Sequence, residues 1–284
     1  MNTSKGFLIF VQAGEQKDYL GQAVALAQSI KIFNKINNVT IMTNCVLTSE
    51  QRNYFDKVIG IPGTDEAQSQ DWKIQNRHKI YEASPYGETI VLDSDMLCLD
   101  SIDYWWDILG NTDLYFTNEV KNYLGEKAKT NILYRKTFIK NNLPNIYCGM
   151  FYFKKTKYND NFFAVLSEVM QNYKEYARKY CREHIQQWCS LDVSTAITCK
   201  IMKYTNKIAS PNLTFTHMKT KLQNWNVNEN WLQDIPVAYD NKLNVKINNV
   251  VQKQLLHYVQ DNFLNSELKE IIQNLWKEKT YSLA

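Results

Sequence analysis

The arrangement most capable of chemistry is Asp93-Ser94-Asp95, which follows the apolar run Thr89-Ile90-Val91-Leu92 without a break. In an extended backbone, residues two apart point the same way, so the spacing predicts two carboxylates facing one point. Carboxylates packed together repel unless a cation sits between them. A hard divalent ion, held by these oxygens and completed by phosphate oxygens, removes the conflict. Taken alone, the tripeptide equally fits a solvated loop or a helix cap. The strand before it favours a site, because open α/β sheets bind ligands beyond the carboxyl ends of their strands.

The elements that must position these groups alternate. Gly6 to Val11 is a continuous apolar run, as expected of a strand covered on both faces. Leu20, Ala23, Val24, Ala27 and Ile30 then recur at helical spacing. Val39 to Met42 and Lys57 to Ile61 predict two more strands, the latter stopped by Pro62-Gly63. Thr48 and Gln51 read as a capping box for a short helix through Phe55. A polar, helix-competent stretch from Ser69 to Ala83, with Trp72, Asn76, Lys79 and Ile80 at helical spacing, precedes the strand Thr89 to Leu92. This alternation predicts an α/β fold: a mostly parallel, twisted sheet with helices on both faces. Ile146 to Phe153 predicts a further buried strand, and the glycine inside it marks close approach of a ligand or backbone. Asn161 to Tyr180 reads as one long helix and Trp188 to Met202 as another. Residues 211 to 250 are Asn-rich and irregular. Gln254 to Val259 predicts a last strand, carrying His257, and Ser266 to Lys279 an amphipathic terminal helix. With no internal repeat or linker, residues 1–284 read as one domain: a first half over 1–100, a second over 101–262 and a C-terminal helix over 263–284.

Composition excludes several classes. The chain has 284 residues, 44 % hydrophobic and 22 % charged, an ordinary globular mix rather than a disordered or fibrous one. No apolar run approaches the ~20 residues of a membrane-spanning helix, and no secretory signal precedes the first strand. Six cysteines stand scattered without CxxC pairs, which predicts reduced thiols in a cytoplasmic protein. The sequons at Asn2, Asn38 and Asn212 then carry no meaning. A net charge of +4 permits a polyanionic partner without requiring one.

From residue 6 to about residue 100 the sequence resembles the nucleotide-sugar glycosyltransferases of the glycogenin and bacterial lipopolysaccharide galactosyltransferase group. The resemblance rests on Phe10-Val11-Gln12-Ala13, on Tyr19-Leu20-Gly21-Gln22-Ala23 and on Ala27-Gln28-Ser29-Ile30. It continues in Arg77, in Asp93-Ser94-Asp95 with Asp100, in Cys148-Gly149 and in Leu256-His257-Tyr258-Val259. The resemblance implies a GT-A (Rossmann-like) fold and a metal-dependent transferase, hexosyl or pentosyl. Such an enzyme moves a sugar from a UDP-sugar to an acceptor hydroxyl with retention. It implies that Asp93, Asp95 and His257 hold Mn²⁺ or Mg²⁺, the imidazole suiting Mn²⁺ better. It implies that Val11, Gln12, Ala13 and Tyr19 take the base, that Arg77 pairs with phosphate or donor sugar, and that Ser94 and Gly149 line the donor. Asp192 falls where the group has an acidic residue near the reacting carbon; Asp192 and Asp95 are the catalytic candidates.

Two departures stand out. Gln260-Asp261-Asn262 replaces the Lys-Pro-Trp-like segment that follows the late His in the group, leaving Lys219, Lys221 or Lys253 to grip the diphosphate. The usual Asn before Cys148-Gly149 is absent. Beside a glycan or protein hydroxyl, hydroxymethylated DNA is a second acceptor reading. It rests on cations over 127–140 (Lys127, Lys129, Arg135, Lys136, Lys140), 154–157 and 174–182, interleaved with Tyr134, Phe138 and Tyr147. A bacteriophage enzyme working in the host cytoplasm would fit it. His217 beside Lys219 and Lys221 reads as a phosphate contact. A haloacid-dehalogenase-type phosphatase, which also builds on a strand ending in Asp-x-Asp, is disfavoured by Met96 and by the motif's late position. A non-catalytic sugar-nucleotide-binding module remains the alternative outside enzymes.

Overall fold

The structure is a computed structural model that describes residues 4–14, 17–65, 74–129, 135–206, 213–219 and 230–282. The chain opens with β1 (Lys5–Val11), α1 (Tyr19–Phe33), β2 (Val39–Thr43), α2 (Ser49–Arg52) and β3 (Lys57–Ile59). The Thr48 and Gln51 side chains form the expected reciprocal cap on α2, which ends at Arg52 rather than Phe55. A 3₁₀ turn over Gln75–Lys79 runs into α3 (Ile80–Ala83) and β4 (Glu88–Leu92). Of the expected helix over 69–83, residues 69–73, with Trp72, lie outside the described residues.

Four elements with no clear periodic signal follow: β5 (Met96–Cys98), α4 (Tyr104–Leu109), β6 (Leu114–Thr117) and α5 (Lys136–Lys140). Next come β7 (Tyr147–Lys154), α6 (Lys157–Gln171), α7 (Tyr173–Tyr180) and α8 (Leu191–Ile201). The long helix expected over 161–180 is therefore two. Asn172 divides them: its Nδ2 donates to the Glu168 backbone carbonyl at 3.3 Å and to Glu168 Oε1 at 2.8 Å. Such local side-chain bonding competes with helix propagation. The helix expected from Trp188 begins at Leu191, because Ser190 caps it through the Val193 N–H.

The central sheet has the order β3-β2-β1-β4-β7-β6. Its β1–β2, β1–β4 and β2–β3 pairs are parallel; β7 runs antiparallel to both β4 and β6. Side chains alternate along β1, so Phe7, Ile9 and Val11 enter one core and Leu8 and Phe10 the other. α1 (Leu26, Ala27, Ile30) and α4 (Trp105, Trp106) cover the first face. α3, α6, α7 and α8 cover the second with Ile80, Phe162, Ala177 and Val193. Fully burying one such Leu, Ile or Phe contributes about 1.5–3 kcal/mol, and this two-sided burial explains why β1 reads as an unbroken apolar run.

Residues beyond 213 form the short strands β8 (Thr216–His217), β9 (Val237–Ala238), β10 (Lys246–Ile247), β11 (Val250–Val251) and β12 (Leu255–His257). The chain ends in α9 (Ser266–Tyr281). β12 is the decisive one. It lies between β5, antiparallel, and β8, parallel, with His257 opposite both Met96 and His217. A third core gathers Leu97, Leu256, Tyr258, Trp231, Leu268 and Ile272 around this small sheet. No helix among the described residues is long and apolar enough to cross a membrane.

Candidate active site at the carboxyl edge of the sheet

Asp93 follows the last residue of β4, and Ser94 and Asp95 form a turn into β5. The carboxylates thus meet across a turn, not along the extended backbone that their spacing predicts. Two backbone bonds fix that turn. The Asp93 N–H donates to the Gly149 carbonyl at 2.9 Å, and the Asp95 carbonyl accepts from the Tyr258 N–H at 3.1 Å. The second bond, with the β5–β12 pairing, brings in His257. Its Nε2 lies 2.9 Å from Asp95 Oδ1, and one ligand atom each from Asp93, Asp95 and His257 falls within 4.8 Å of the others.

This donor set fits a divalent cation. Two carboxylates and one imidazole suit a hard-to-borderline ion. Gly149 lets neighbouring side chains pack close to the cluster. A Cβ there would lie 3.4 Å from Asp93 Oδ2, 2.9 Å from Met96 Cε and 3.1 Å from Phe215 Cζ. Close approach of side chains therefore explains the glycine that the strand pattern singles out.

Charges around the cluster are balanced. Arg77, on the 3₁₀ turn, pairs with Asp93 Oδ1 and lies 5.3 Å from the Phe10 ring centroid. Burial works to raise the Asp95 pKa, but His257, through its charge and hydrogen bond, and Lys17 outweigh it and hold the carboxyl below its ordinary value. Burial likewise works to lower the His257 pKa, and the Asp95 charge and hydrogen bond overturn that and raise it. The Tyr19 phenol is pushed up, first by burial and then by Asp95, against an opposing pull from Arg77. Tyr19 therefore stands within electrostatic reach of the acidic pair.

At the end of β1, Val11 and Gln12 are buried and Ala13 is exposed. Gln12 Nε2 donates to both oxygens of Asp65 at 2.7 and 2.8 Å, and Asn76 Nδ2 donates to Gln12 Oε1 at 3.1 Å and to Asp65 Oδ1 at 2.6 Å. The Ala13 N–H donates to Asn44 Oδ1 at 2.8 Å. Ser94 is buried beside the cluster. Asp192, in the first turn of α8, accepts from the Cys148 N–H at 2.9 Å and from Arg135 Nη1 at 3.1 Å. It is thus tied to the residue next to Gly149.

Several groups were not foreseen. Lys17, two residues before Tyr19, lies 3.4 Å from Asp261 Oδ1 and lowers the Asp95 pKa. Its partner Asp261 belongs to the segment that departs from the resembled group, and Gln22 Nε2 donates to Asp261 at 2.9 Å. Asp65 and Asn76 surround Gln12 only through the fold. His217 is buried, its ring stacked on His257. Burial first, then the charges of His257, Lys219 and Arg135, push its pKa well below the usual imidazole range. Of the lysines proposed for the diphosphate, Lys219 stands in electrostatic reach of His257 and Lys253 is exposed. Lys221 lies outside the described residues.

Among the described residues, several cations of the interleaved basic stretches are engaged within the fold or by acidic partners. Arg135 is fully buried, its guanidinium 3.8 and 4.0 Å from the Phe138 and Tyr147 ring centroids. Lys127 pairs with Glu119 and Lys140 lies 3.9 Å from Glu183. Lys154 donates to the Gly110 carbonyl at 2.6 Å and Lys155 to the Tyr81 carbonyl. Tyr134 lies outside the described residues. The six cysteines are free.

No protein-family model matches the sequence, and no curated protein matches it. Solved structures do. The galactosyltransferase LgtC, in complex with donor and acceptor sugar analogs, superposes with a TM-score of 0.56 at 13 % identity, over 96 % of this chain and 95 % of LgtC. The glycosyltransferase GlyE of Streptococcus pneumoniae gives 0.53 at 12 % identity, over 99 % of this chain. This chain spans 63 % of GlyE, less than two thirds of it. The bifunctional glycosyltransferase WbbM gives 0.52 at 13 % identity, over 97 % of this chain and 50 % of that one. With its mostly parallel sheet, helices on both faces and acidic pair at the sheet's edge, the chain has the fold of the GT-A glycosyltransferases.

Proposed function

We propose that the protein is a metal-dependent glycosyltransferase that moves a sugar from a UDP-sugar to a hydroxyl of a glycan or protein acceptor. The observation that carries this reading is the convergence of Asp93, Asp95 and His257 within 4.8 Å at the carboxyl edge of a GT-A sheet. That LgtC is seen with donor and acceptor sugar analogs supports it. Asp93, Asp95 and His257 would hold Mn²⁺, which when bound supplies Lewis-acid neutralisation of the departing diphosphate.

This chain's residues then divide the remaining work. Arg77, fixed by Asp93 and Phe10, offers further N–H groups to a phosphate or the donor sugar. Lys17 and Lys219 flank the cluster and supply the positive charge that the group's missing lysine would carry. The Gln12 loop and the Tyr19 ring receive the base, and the raised phenol pKa keeps the Tyr19 hydroxyl a donor. Ser94 and Gly149 line the donor. Asp192, oriented by Arg135 and the Cys148 N–H, faces the donor sugar, and retention follows the resembled group. Unpaired thiols fit a cytoplasmic setting.

Release of UDP from a panel of UDP-sugars with Mn²⁺, with and without simple acceptor sugars, tests the reading. Wild type is expected to turn over at least one donor, and Asp95→Ala to lose at least 100-fold of that rate, in line with the loss of one major charge-stabilising group. A wild-type chain whose Tm rises with UDP-sugar yet releases no UDP would instead be a binding module.

A further inference from the structure

Two histidines stand at this site. β8 and β12 are parallel neighbours with His217 and His257 in register, so the two side chains leave the small sheet on the same side. Their rings lie 4.4 Å apart, centroid to centroid, and 3° from parallel, and both are buried. The backbones under them are pinned: the Met218 N–H donates to the His257 carbonyl at 3.0 Å, and the His217 N–H to the Lys121 carbonyl at 2.8 Å.

A metal-ligating histidine ordinarily donates its second ring N–H to a carboxylate, a carbonyl or water, which fixes the plane of the ring. Among the described residues, His257 has no such partner. Its Nε2 faces Asp95, while its Nδ1 is buried and makes no hydrogen bond to any described residue. A flat neighbouring ring can do the same task by steric means, because any turn of one imidazole about its χ2 drives its edge into the other. Phe215 (5.8 Å from the His257 ring) and Tyr147 (6.4 Å from His217, edge-on) close the sides of this stack.

Resting on the metal-site reading above, we infer that His217 is a positioning residue. Its ring, stacked on His257, sets the plane in which His257 Nε2 meets the cation, in place of the missing hydrogen bond. His217 is not a fourth ligand. An imidazole's lone pair lies in its ring plane, and two parallel, stacked planes cannot both contain one ion.

Calorimetric titration of the full chain with MnCl₂, alongside metal-free thermal unfolding, tests this on wild type, His217→Phe, His217→Ala and His217→Asn. His217→Phe keeps a flat ring and should stay within about threefold of wild-type affinity, whereas His217→Ala and His217→Asn should weaken Mn²⁺ binding about 10–100-fold, the usual cost of losing a ligand-orienting neighbour. In the Co²⁺-loaded chain, His217→Phe should keep the wild-type visible spectrum. Wild-type affinity in His217→Ala overturns the inference, and so does a loss in His217→Phe that His217→Asn escapes. If His217→Ala fails to fold, the Phe and Asn pair still decides. A wild-type chain that binds no Mn²⁺ removes the metal-site reading and this inference with it; Mn²⁺ binding that is indifferent to residue 217 removes this inference alone.

Discussion

At the scale of single residues, the site is a set of charges that tolerate burial because each has a counterpart. Arg135 is the deepest. Its guanidinium donates to Asn145 Oδ1 at 2.9 and 2.6 Å, to the Ile146 carbonyl at 2.6 Å and to Asp192. Removing one member of a buried pair leaves the other uncompensated and typically costs about 3–5 kcal/mol. Arg135→Met is therefore expected to destabilise by about that much in urea unfolding, more than Lys127→Met, whose pair with Glu119 is exposed and worth about 0–1 kcal/mol. Gly149 makes a second residue-scale case. Gly149→Ala puts a methyl 2.9 Å from buried Met96 Cε and 3.1 Å from Phe215 Cζ. Overpacking of that kind costs about 1–3 kcal/mol, and the same methyl crowds Asp93. Both a lower Tm and weaker Mn²⁺ binding are expected, and a wild-type Tm would show that the neighbours give way freely.

At the scale of elements, the question is what joins helices to the sheet's edge. Asp103, at the start of α4, accepts from the backbone N–H groups of Lys35 and Ile36 just past α1 and from the Ser101 hydroxyl. Burial works to raise its pKa, but those hydrogen bonds outweigh it and hold the carboxyl below its ordinary value. A group whose folded pKa is depressed contributes stability that is present above its unfolded pKa of about 3.9 and lost as pH falls through the folded value. Asp103→Asn should accordingly lower stability at neutral pH and flatten the acid limb of the stability curve below about pH 4. Urea midpoints from pH 2 to 7 would show it. An unchanged acid limb would mean that the α1–α4 junction gains nothing from the charge.

At the scale of the whole molecule, the carboxyl edge of the central sheet supplies Asp93 and Asp95, and a separate small sheet supplies His257. The third core ties that small sheet to α9 through Leu256, Tyr258, Leu268 and Ile272. α9 also reaches the first core, where Trp276 packs edge-on against Tyr54 at 4.8 Å. Leu268 is fully buried, so Leu268→Ala should cost about 2–5 kcal/mol. A single unfolding transition, shifted as a whole, is expected in guanidinium; a separate early transition confined to the C-terminal part would show that the small sheet and the central sheet do not unfold together.

What the sequence determined by itself is local. Apolar runs marked β1, β2, β4 and β7 because strands buried on both faces lose their alternation, and helical spacing marked α1, α6 and α9. The acidic pair was legible because its two members are neighbours in the chain. Elements with weak periodic signals, such as β5, β6 and α4, were not, and Asn172 divided a helix that the pattern alone left whole. What only the tertiary structure decided is convergence. Lys17 meets Asp261, Asp65 meets Gln12, and His217 stacks on His257 because β12 pairs with β5 on one side and β8 on the other. Strand pairing of that kind joins residues far apart through backbone hydrogen bonds, whose acceptor every residue carries and whose donor only proline lacks, so spacing along the chain carries no mark of it.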